Sequence, residues 1–186
     1  MNLLLKFILF NIILVAIIPI NHVYASYVEL RFAGIEKQKY ESTCGVASLS
    51  SILRKYFSID KNELELLNYF PLKPEYSFVD LAQVAEKFGI KTIGVKITLS
   101  QLNQIHSPTI LYLNRFGKGH FVILKGIDDA WVQIEDPAWG NLNYTRERFN
   151  RYWLQPEGMG RALIFNKSSD LKVIKDRIYK KIVLTN

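Results

Sequence analysis

Cys44 is the only cysteine in the 186-residue sequence, which makes it the first candidate for nucleophilic chemistry. Ser42 and Thr43 are favourable N-cap residues, and apolar side chains then recur at helical spacing at Val46, Leu49, Leu53, Tyr56 and Phe57. Cys44 is therefore predicted in the first turn of a buried helix, where unpaired backbone N–H groups and the helix dipole favour a thiolate. A buried apolar cysteine and an intermolecular disulfide are the alternatives.

A thiolate needs a proton partner, and the sequence offers three histidines for that role. His22 lies in an apolar N-terminal segment, and His106 lies in a polar connection before Pro108, where a solvated loop residue is the simplest interpretation. His120 directly follows Gly119 and begins a strongly apolar predicted strand. A rigid strand end is a suitable place for a general base, so we expect His120 to act with the cysteine.

Asp136 is the carboxylate best placed to orient His120. It ends the next predicted strand, and a turn near Asp128 and Asp129 joins the two strands. In an antiparallel hairpin centred at that turn, His120 and Asp136 lie opposite each other, which lets the carboxylate fix the imidazole tautomer. The alternative for Asp136 is a turn residue that precedes Pro137.

The elements that must position these residues are predicted to be helices first and strands second. Beyond the cysteine helix, Asp60 with Glu63 and Ser77 with Asp80 resemble capping boxes that begin two further helices. Gly89 is expected to end the second of these helices. Alternating β-branched runs then predict strands at residues 91–97, 109–114, 120–128, 131–136 and 161–166, with an early strand at 28–32 and a short helix within 144–153. This order indicates an α+β fold with an antiparallel sheet.

The two ends of the chain differ from its body. Met1–Ile20 is apolar apart from Lys6 and two asparagines, and Val23-Tyr24-Ala25 provides the small residues that a signal peptidase accepts. We predict a signal peptide at residues 1–25 and an exported, periplasmic or secreted protein; an uncleaved membrane anchor is the alternative. The basic tail at 167–186 has apolar residues at near-helical spacing, so it is expected to form a helix that packs on the domain or to fray in solvent, and contact with an anionic membrane surface is the alternative.

Composition narrows the class of protein further. The chain is long enough for one domain and has 49% hydrophobic residues, which suits a packed core. Its net charge is +7, but the positive residues alternate with acids and form no basic stripe with aromatic residues, so no nucleic-acid partner is predicted. No His, Cys or Asp cluster has metal-ligand spacing, and we expect neither a metal nor another cofactor.

Three segments together resemble the motifs of peptidase family C39. They are Gln38-Lys-Tyr-Glu-Ser-Thr-Cys44-Gly45, Gly119-His120-Phe-Val-Ile-Leu and Glu135-Asp136-Pro137-Ala138-Trp139-Gly140. The resemblance extends over residues 38–153 and implies a papain-like fold, with N-terminal helices packed on an antiparallel sheet. It also implies Cys44 as nucleophile, His120 as base, Asp136 as orienting carboxylate and Gln38 as oxyanion donor. Thr43 stands where members linked to transporters usually have aspartate.

These observations favour a stand-alone, exported cysteine peptidase whose domain covers residues 26–166 and whose partner is a peptide or protein substrate. The alternative from another functional class is a non-catalytic peptide-binding module of the same fold in a secretion or surface-assembly system. A third possibility is acyl transfer or deamidation by the same triad. The substrate sequence, including any requirement for a double glycine, is not predicted.

Overall fold

The computed structural model describes residues 27–166, and the predicted signal peptide and basic tail lie outside these described residues. Its first half is helical: α1 covers Cys44–Phe57, α2 Glu63–Leu67 and α3 Phe78–Lys87. The remaining elements are β1 Lys91–Ile97, α4 Leu99–Leu102, β2 Thr109–Arg115, β3 Lys118–Ile127, β4 Trp131–Asp136, β5 Gly140–Thr145, α5 Arg146–Trp153 and β6 Gly160–Asn166. The predicted α+β class is confirmed.

The six strands form one antiparallel sheet in the order β1-β6-β2-β3-β4-β5. Side chains on alternate strand positions enter two separate cores. On one face, Ile110, Phe121 and Ile123 pack with the buried side of α1 and α3. On the other face, residues such as Val122 and Ile134 pack with α5. The sheet is therefore covered on both sides, and α1 lies against the central strands that carry the candidate base.

Local signals explain where the main helices begin and end. Ser77 accepts a hydrogen bond from the backbone N–H of Asp80, and the Asp80 carboxylate accepts one from the backbone N–H of Ser77, so the predicted capping box of α3 is confirmed. Gly89 follows α3 with a positive φ of 74°, which suits glycine. The box of α2 begins at Asn62 rather than Asp60, and it pairs Asn62 with Glu65. Asp60 instead forms an ion pair with Arg54 on α1.

Other predicted elements are corrected by the structure. The early strand at 28–32 is wrong, because residues 27–31 are helical and the Phe32 N–H donates to the Val28 carbonyl at 3.1 Å. A five-residue apolar alternation fits either structure, so periodicity alone could not decide. The segment 144–153 is helical only from Arg146, since β5 precedes it and Thr145 caps α5. None of the helices in the described residues is long and apolar enough to cross a membrane.

Candidate active site

Cys44 occupies the first position of α1, as predicted, and its side chain lies at the base of an open cleft. The residue is 7% exposed, and the cleft has a volume of about 730 Å³. One wall comes from Glu41 and Ser42 before α1, and the facing wall comes from the β2–β3 hairpin around Gly117 and Lys118. The sulfur is therefore mostly buried but borders a space that a peptide can enter.

The N-terminus of α1 is not capped by a side chain. Thr43 is the N-cap residue, yet its hydroxyl makes no bond to the amides of the first helical turn. The first helical backbone bond runs from the Ala47 N–H to the Thr43 carbonyl at 2.9 Å. Amides in the first turn have no partner within a helix. They remain available to stabilise negative charge on the Cys44 sulfur or on a substrate oxygen.

His120 lies near the start of β3 and is held at one ring nitrogen. Its Nε2 is 2.8 Å from Asp136 Oδ1, which leaves Nδ1 as the nitrogen free to exchange a proton with Cys44. The neighbouring backbone N–H of Phe121 donates to Cys44 Sγ at 3.5 Å, so the sulfur lies beside the start of this strand. The structure thus brings Cys44, His120 and Asp136 together.

The environment of His120 favours the imidazolium. Burial is the largest single influence and acts against the charged form, but hydrogen bonds to Asp136 and Cys44, with the charges of those groups, outweigh it. Together they raise the pKa of His120 to about 9. Because this pKa is above its usual range, the imidazole keeps its proton at neutral pH and can form an ion pair with a thiolate.

Asp136 is completely buried and every part of its carboxylate is used. Oδ1 accepts from His120 and from the backbone N–H groups of Ala138 at 2.8 Å and Trp139 at 3.2 Å. Oδ2 accepts from Arg115 at 2.5 Å. Burial alone would raise the pKa of Asp136, but the bond and charge of His120, the charge of Arg115 and the Ala138 N–H lower it. The carboxylate is therefore held ionised and fixed.

Arg115 is a site residue that sequence reasoning missed. It ends β2, donates from one guanidinium nitrogen to Asp136, and donates from the other to the Tyr144 hydroxyl at 2.8 Å. Its side chain is only 13% exposed. A cation in the strand before His120 was the one available signal, but its proximity to Asp136 depends on pairing across three strands.

The pairing of β3 with β4 differs from the prediction by two residues. Ile123 pairs with Glu135, and continuation of this register places Asp136 opposite Val122 rather than His120. His120 lies two residues before Val122 in β3, and its side chain is on the same face of the sheet. The imidazole and the carboxylate therefore meet along the diagonal of the ladder, a separation that long side chains can bridge.

A β-bulge in β3 produces this arrangement. The register shifts by one residue between Leu124 and Gly126. A one-residue shift exchanges the two faces of a strand, so the register near the turn would place Asp136 on the face that packs against α1. The bulge restores Asp136 to the face of His120, which is a role that bulges often have beside functional sites.

Gly119 leaves room for the Tyr112 side chain in the wall of the cleft. A β-carbon at this position would lie 1.8 Å from the Tyr112 hydroxyl oxygen. Tyr112 cannot easily move, because its ring packs against Phe121 at 5.0 Å and below the guanidinium of Arg161 at 4.3 Å. The absence of a side chain before His120 is therefore a steric requirement of the cleft wall.

Gln38 lies close to the other predicted site residues but its amide is occupied. Its backbone N–H donates to the Pro137 carbonyl at 3.0 Å, which links it to the turn after Asp136. Its side-chain Nε2 donates to the carbonyls of Tyr40 at 2.9 Å and Glu41 at 3.2 Å. The side chain must exchange one of these contacts before it can donate to a substrate oxygen.

His106 is exposed and borders a separate depression with Tyr56 and Lys125, apart from the Cys44 cleft, in agreement with its prediction as a loop residue. Within residues 27–166, no three His, Cys, Asp or Glu side chains are grouped as metal ligands. The contacts of Cys44 with His120, and of His120 with Asp136, can support attack by a thiolate with proton exchange through an imidazole.

The sequence is similar to those of known proteins. The chain is 30% identical to the probable functional amyloid protease FapD of Pseudomonas aeruginosa and 29% identical to FapD of Pseudomonas fluorescens, each over 133 residues and 67% of this chain. It spans 59% of the length of either FapD protein.

The fold resembles the crystal structure of a double glycine motif protease from an AMS/PCAT transporter in complex with the leader peptide. The TM-score is 0.60 at 26% sequence identity, over 70% of this chain and 89% of that protein. The profile of the Peptidase C39 family matches residues 33–169, which include all four predicted site residues. The chain belongs to the Peptidase C39 family.

Proposed function

We propose that this protein is an exported cysteine peptidase in which Cys44 is the nucleophile, His120 the proton-transfer group and Asp136 the residue that orients it. One observation carries the proposal: the imidazole is fixed through Nε2 to a buried carboxylate and is hydrogen-bonded to Cys44, which lines an open cleft. Membership of the Peptidase C39 family supports the same reaction class.

The acylation step begins with the thiolate of Cys44 and the imidazolium of His120. The sulfur attacks the carbonyl carbon of the scissile peptide bond, and a tetrahedral intermediate with a C–S bond and an oxyanion forms. His120 then gives its proton to the amide nitrogen, the C–N bond breaks, and the amine product leaves. A thioester to Cys44 remains, and Asp136 keeps the now neutral imidazole in the correct orientation.

The deacylation step reverses the roles of the same groups. Neutral His120 removes a proton from water as the water oxygen attacks the thioester carbon. Collapse of the second tetrahedral intermediate breaks the C–S bond and releases the carboxylic acid product. The thiolate and the imidazolium are thereby restored, and the net reaction is the hydrolysis of one peptide bond by one water molecule.

The oxyanion of both intermediates is proposed to bind at the start of α1. Backbone N–H groups of the uncapped first turn supply donors there. Gln38 supplies a second donor if its Nε2 leaves the carbonyl of Tyr40 or Glu41 when substrate enters. Catalytic hydrogen bonds often form only in the substrate complex, so the occupied amide is compatible with this role.

A peptide segment of an exported protein is the proposed substrate. Peptide substrates are consistent with the related structure that holds a leader peptide, and the relation to FapD makes a functional amyloid system a suitable first source of candidates. Export is proposed from the apolar segment at residues 1–20 and the Val23-Tyr24-Ala25 sequence. N-terminal sequencing of the protein recovered from its native host should give Ser26 as the first residue. Recovery of intact Met1 in the cytosolic fraction would contradict export.

The decisive test compares the reduced wild-type chain with its Cys44→Ala variant on a peptide library, with products identified by mass spectrometry. We expect hydrolysis by the wild type and none by the variant, because the alanine side chain cannot form a thioester. His106→Gln is the matched control and should retain activity. Identical product profiles for wild type and Cys44→Ala would overturn the peptidase proposal. A folded wild type that also fails to react with a thiol-directed electrophile would favour the non-catalytic binding module.

A further inference from the structure

Glu63 is a buried carboxylate that the proposed reaction does not use. It is the first residue of α2, and no part of it is exposed. A buried carboxylate is costly unless hydrogen bonds compensate for its lost hydration. Both of its side-chain oxygens accept bonds from the segment 39–43, which directly precedes Cys44.

The two bonds hold opposite ends of that segment. Oε2 of Glu63 accepts from the backbone N–H of Lys39 at 2.8 Å, and Oε1 accepts from the Thr43 hydroxyl at 2.5 Å. Residues 39–43 are the whole connection between Gln38 and Cys44. One side chain therefore bridges both ends of the connection between the proposed oxyanion donor and the nucleophile.

The bond to Thr43 has a second effect at the start of α1. A threonine at the N-cap position normally accepts a hydrogen bond from an amide in the first helical turn. The Thr43 hydroxyl makes no such bond: it is directed at Glu63, lies 2.9 Å from the Tyr40 carbonyl and accepts from the Tyr40 backbone N–H at 3.3 Å. Glu63 and the Tyr40 backbone thus keep the Thr43 side chain away from the amides of Gly45 and Val46.

We propose that Glu63 is a positioning residue for catalysis, acting on the oxyanion side of the site. It fixes residues 39–43 and leaves the first-turn amides of α1 free to face the reacting carbonyl. This inference rests on the proposed peptidase function. It predicts that loss of Glu63 impairs the turnover of bound substrate more than substrate binding, since displacement of catalytic groups by about 1 Å can cost up to about a hundredfold in rate.

The test compares Glu63→Leu with Glu63→Gln in steady-state peptide hydrolysis by the full chain. Leucine approximates the volume but accepts no hydrogen bond, so kcat should fall about tenfold to a hundredfold while KM changes less than about threefold. Glutamine should retain most of kcat. Its amide oxygen can accept from the Lys39 N–H while its amide nitrogen donates to Thr43, whose proton then turns to the Tyr40 carbonyl.

Two controls separate positioning from general loss of structure. Ser50→Ala removes a 2.7 Å bond from α1 to the Lys61 carbonyl, near α2, without contact to residues 39–43. It should leave kcat unchanged even where Tm falls. Alkylation of Cys44 by iodoacetamide needs a thiolate but neither Gln38 nor a positioned substrate, so its rate should fall by a clearly smaller factor than kcat in Glu63→Leu.

If Glu63→Leu does not fold, Thr43→Val keeps the carboxylate and removes only the hydroxyl that it binds; kcat should then fall about fivefold to tenfold. Wild-type kcat in the folded variants would overturn the inference, as would an equal loss of kcat in Ser50→Ala or an equal loss of alkylation rate. In each of these cases the peptidase proposal would stand. Absence of hydrolysis that depends on Cys44 in the wild type would overturn both.

Discussion

The two sides of the candidate site are built in different ways. The side that holds His120 and Asp136 lies on adjacent strands, and four donors from four residues surround the buried carboxylate. The side that holds Cys44 consists of a helix start and a loop, and it faces the open cleft. On the first side Arg115 neutralises the charge of Asp136, whereas on the second side the backbone N–H groups in the first turn of α1 have no side-chain cap.

The difference indicates which groups of the site are positioned before substrate binds and which are positioned by the substrate. The orientation of the imidazole is already fixed before substrate binds, which is what preorganisation requires. The proposed donors for the oxyanion lie at a helix start and a loop that Glu63 bonds at two points, and the Gln38 amide is bound to two carbonyls of that loop. Substrate binding is therefore expected to complete the nucleophile side and to leave the His120 side unchanged.

Asp136→Asn should break this comparison with the largest effect. The amide is neutral, so the largely buried Arg115 loses its counter-charge in either orientation of the amide. The amide also has only one oxygen, so the imidazole and the guanidinium can no longer both donate to an acceptor. We expect kcat/KM to fall about a thousandfold, as when a triad carboxylate is neutralised, and the free energy of unfolding to fall by about 3 kcal/mol. Steady-state kinetics and denaturant unfolding measure these two quantities.

Asp128→Asn is the matched control for that substitution. Asp128 also accepts bonds from two backbone N–H groups in a turn, those of Ala130 and Trp131, but it has no histidine partner. Its replacement should leave kcat/KM within about twofold of wild type, as for exposed positions generally. An equal loss of kcat/KM in both variants would mean that turn geometry, and not orientation of the imidazole, explains the effect.

The pH dependence of activity should sharpen the comparison through His120. Its pKa is raised from 6.5 to about 9, so the imidazolium is present at neutral pH and is lost as the pH rises through about 9. We expect kcat/KM to decline on the alkaline side with an apparent pKa near 9, as the imidazolium of His120 loses its proton. Rates from pH 5 to 10.5 test this expectation, and His106→Gln should leave the decline in place.

The same shift has a consequence for stability, with a definite sign. A group whose folded-state pKa is raised contributes stability that is complete below its unfolded pKa, here near 6.5, and that is lost as the pH approaches 9. The Tm should therefore decrease as the pH rises from about 6.5 to about 9, and the decrease should be smaller in His120→Gln. An alkaline decline of both Tm and kcat/KM centred near pH 6.5 would contradict the strong coupling of His120 to Asp136 and Cys44.

Local chemistry made much of the architecture predictable. The helix that begins at Cys44, the capping box of Ser77 and the ordered strands after residue 90 all follow from neighbouring residues. The box formed by Thr98 and Gln101 at α4 was also readable, but a four-residue helix gives too little periodicity to be noticed. The motifs around Cys44, His120 and Asp136 depend on such local signals, and the structure brings these three residues together.

Long-range geometry explains what the sequence did not provide. The bulge between Leu124 and Gly126 changes which residue pairs with Asp136, and no turn residue in the sequence predicts the bulge. Arg115 and Glu63 act through bonds to residues 21 and 20 positions away, so their roles appear only when the elements pack. The bonds of Gln38 to two loop carbonyls depend in the same way on the loop conformation.

The smallest effect is expected at the open side, where Lys118 and Glu41 form an ion pair between the two walls of the cleft. The charged atoms are 3.0 Å apart, but the side chains are 81% and 87% exposed. Exposed pairs contribute little because water and salt screen them. Lys118→Met should therefore shift Tm by no more than about 1 °C and KM by less than about threefold, and the shift in KM should vanish at high salt.

Lys96→Met, which removes a similar exposed pair with Glu157 away from the cleft, is the control and should leave KM unchanged. Because Lys118 and Glu41 border the entrance to Cys44, a change in KM confined to Lys118→Met would identify this side as the one that substrate contacts. A loss of kcat as large as that in Asp136→Asn would instead mean that the open side is as dependent on its charges as the buried side. The division of the site into a preformed half and a half completed by substrate would then be wrong.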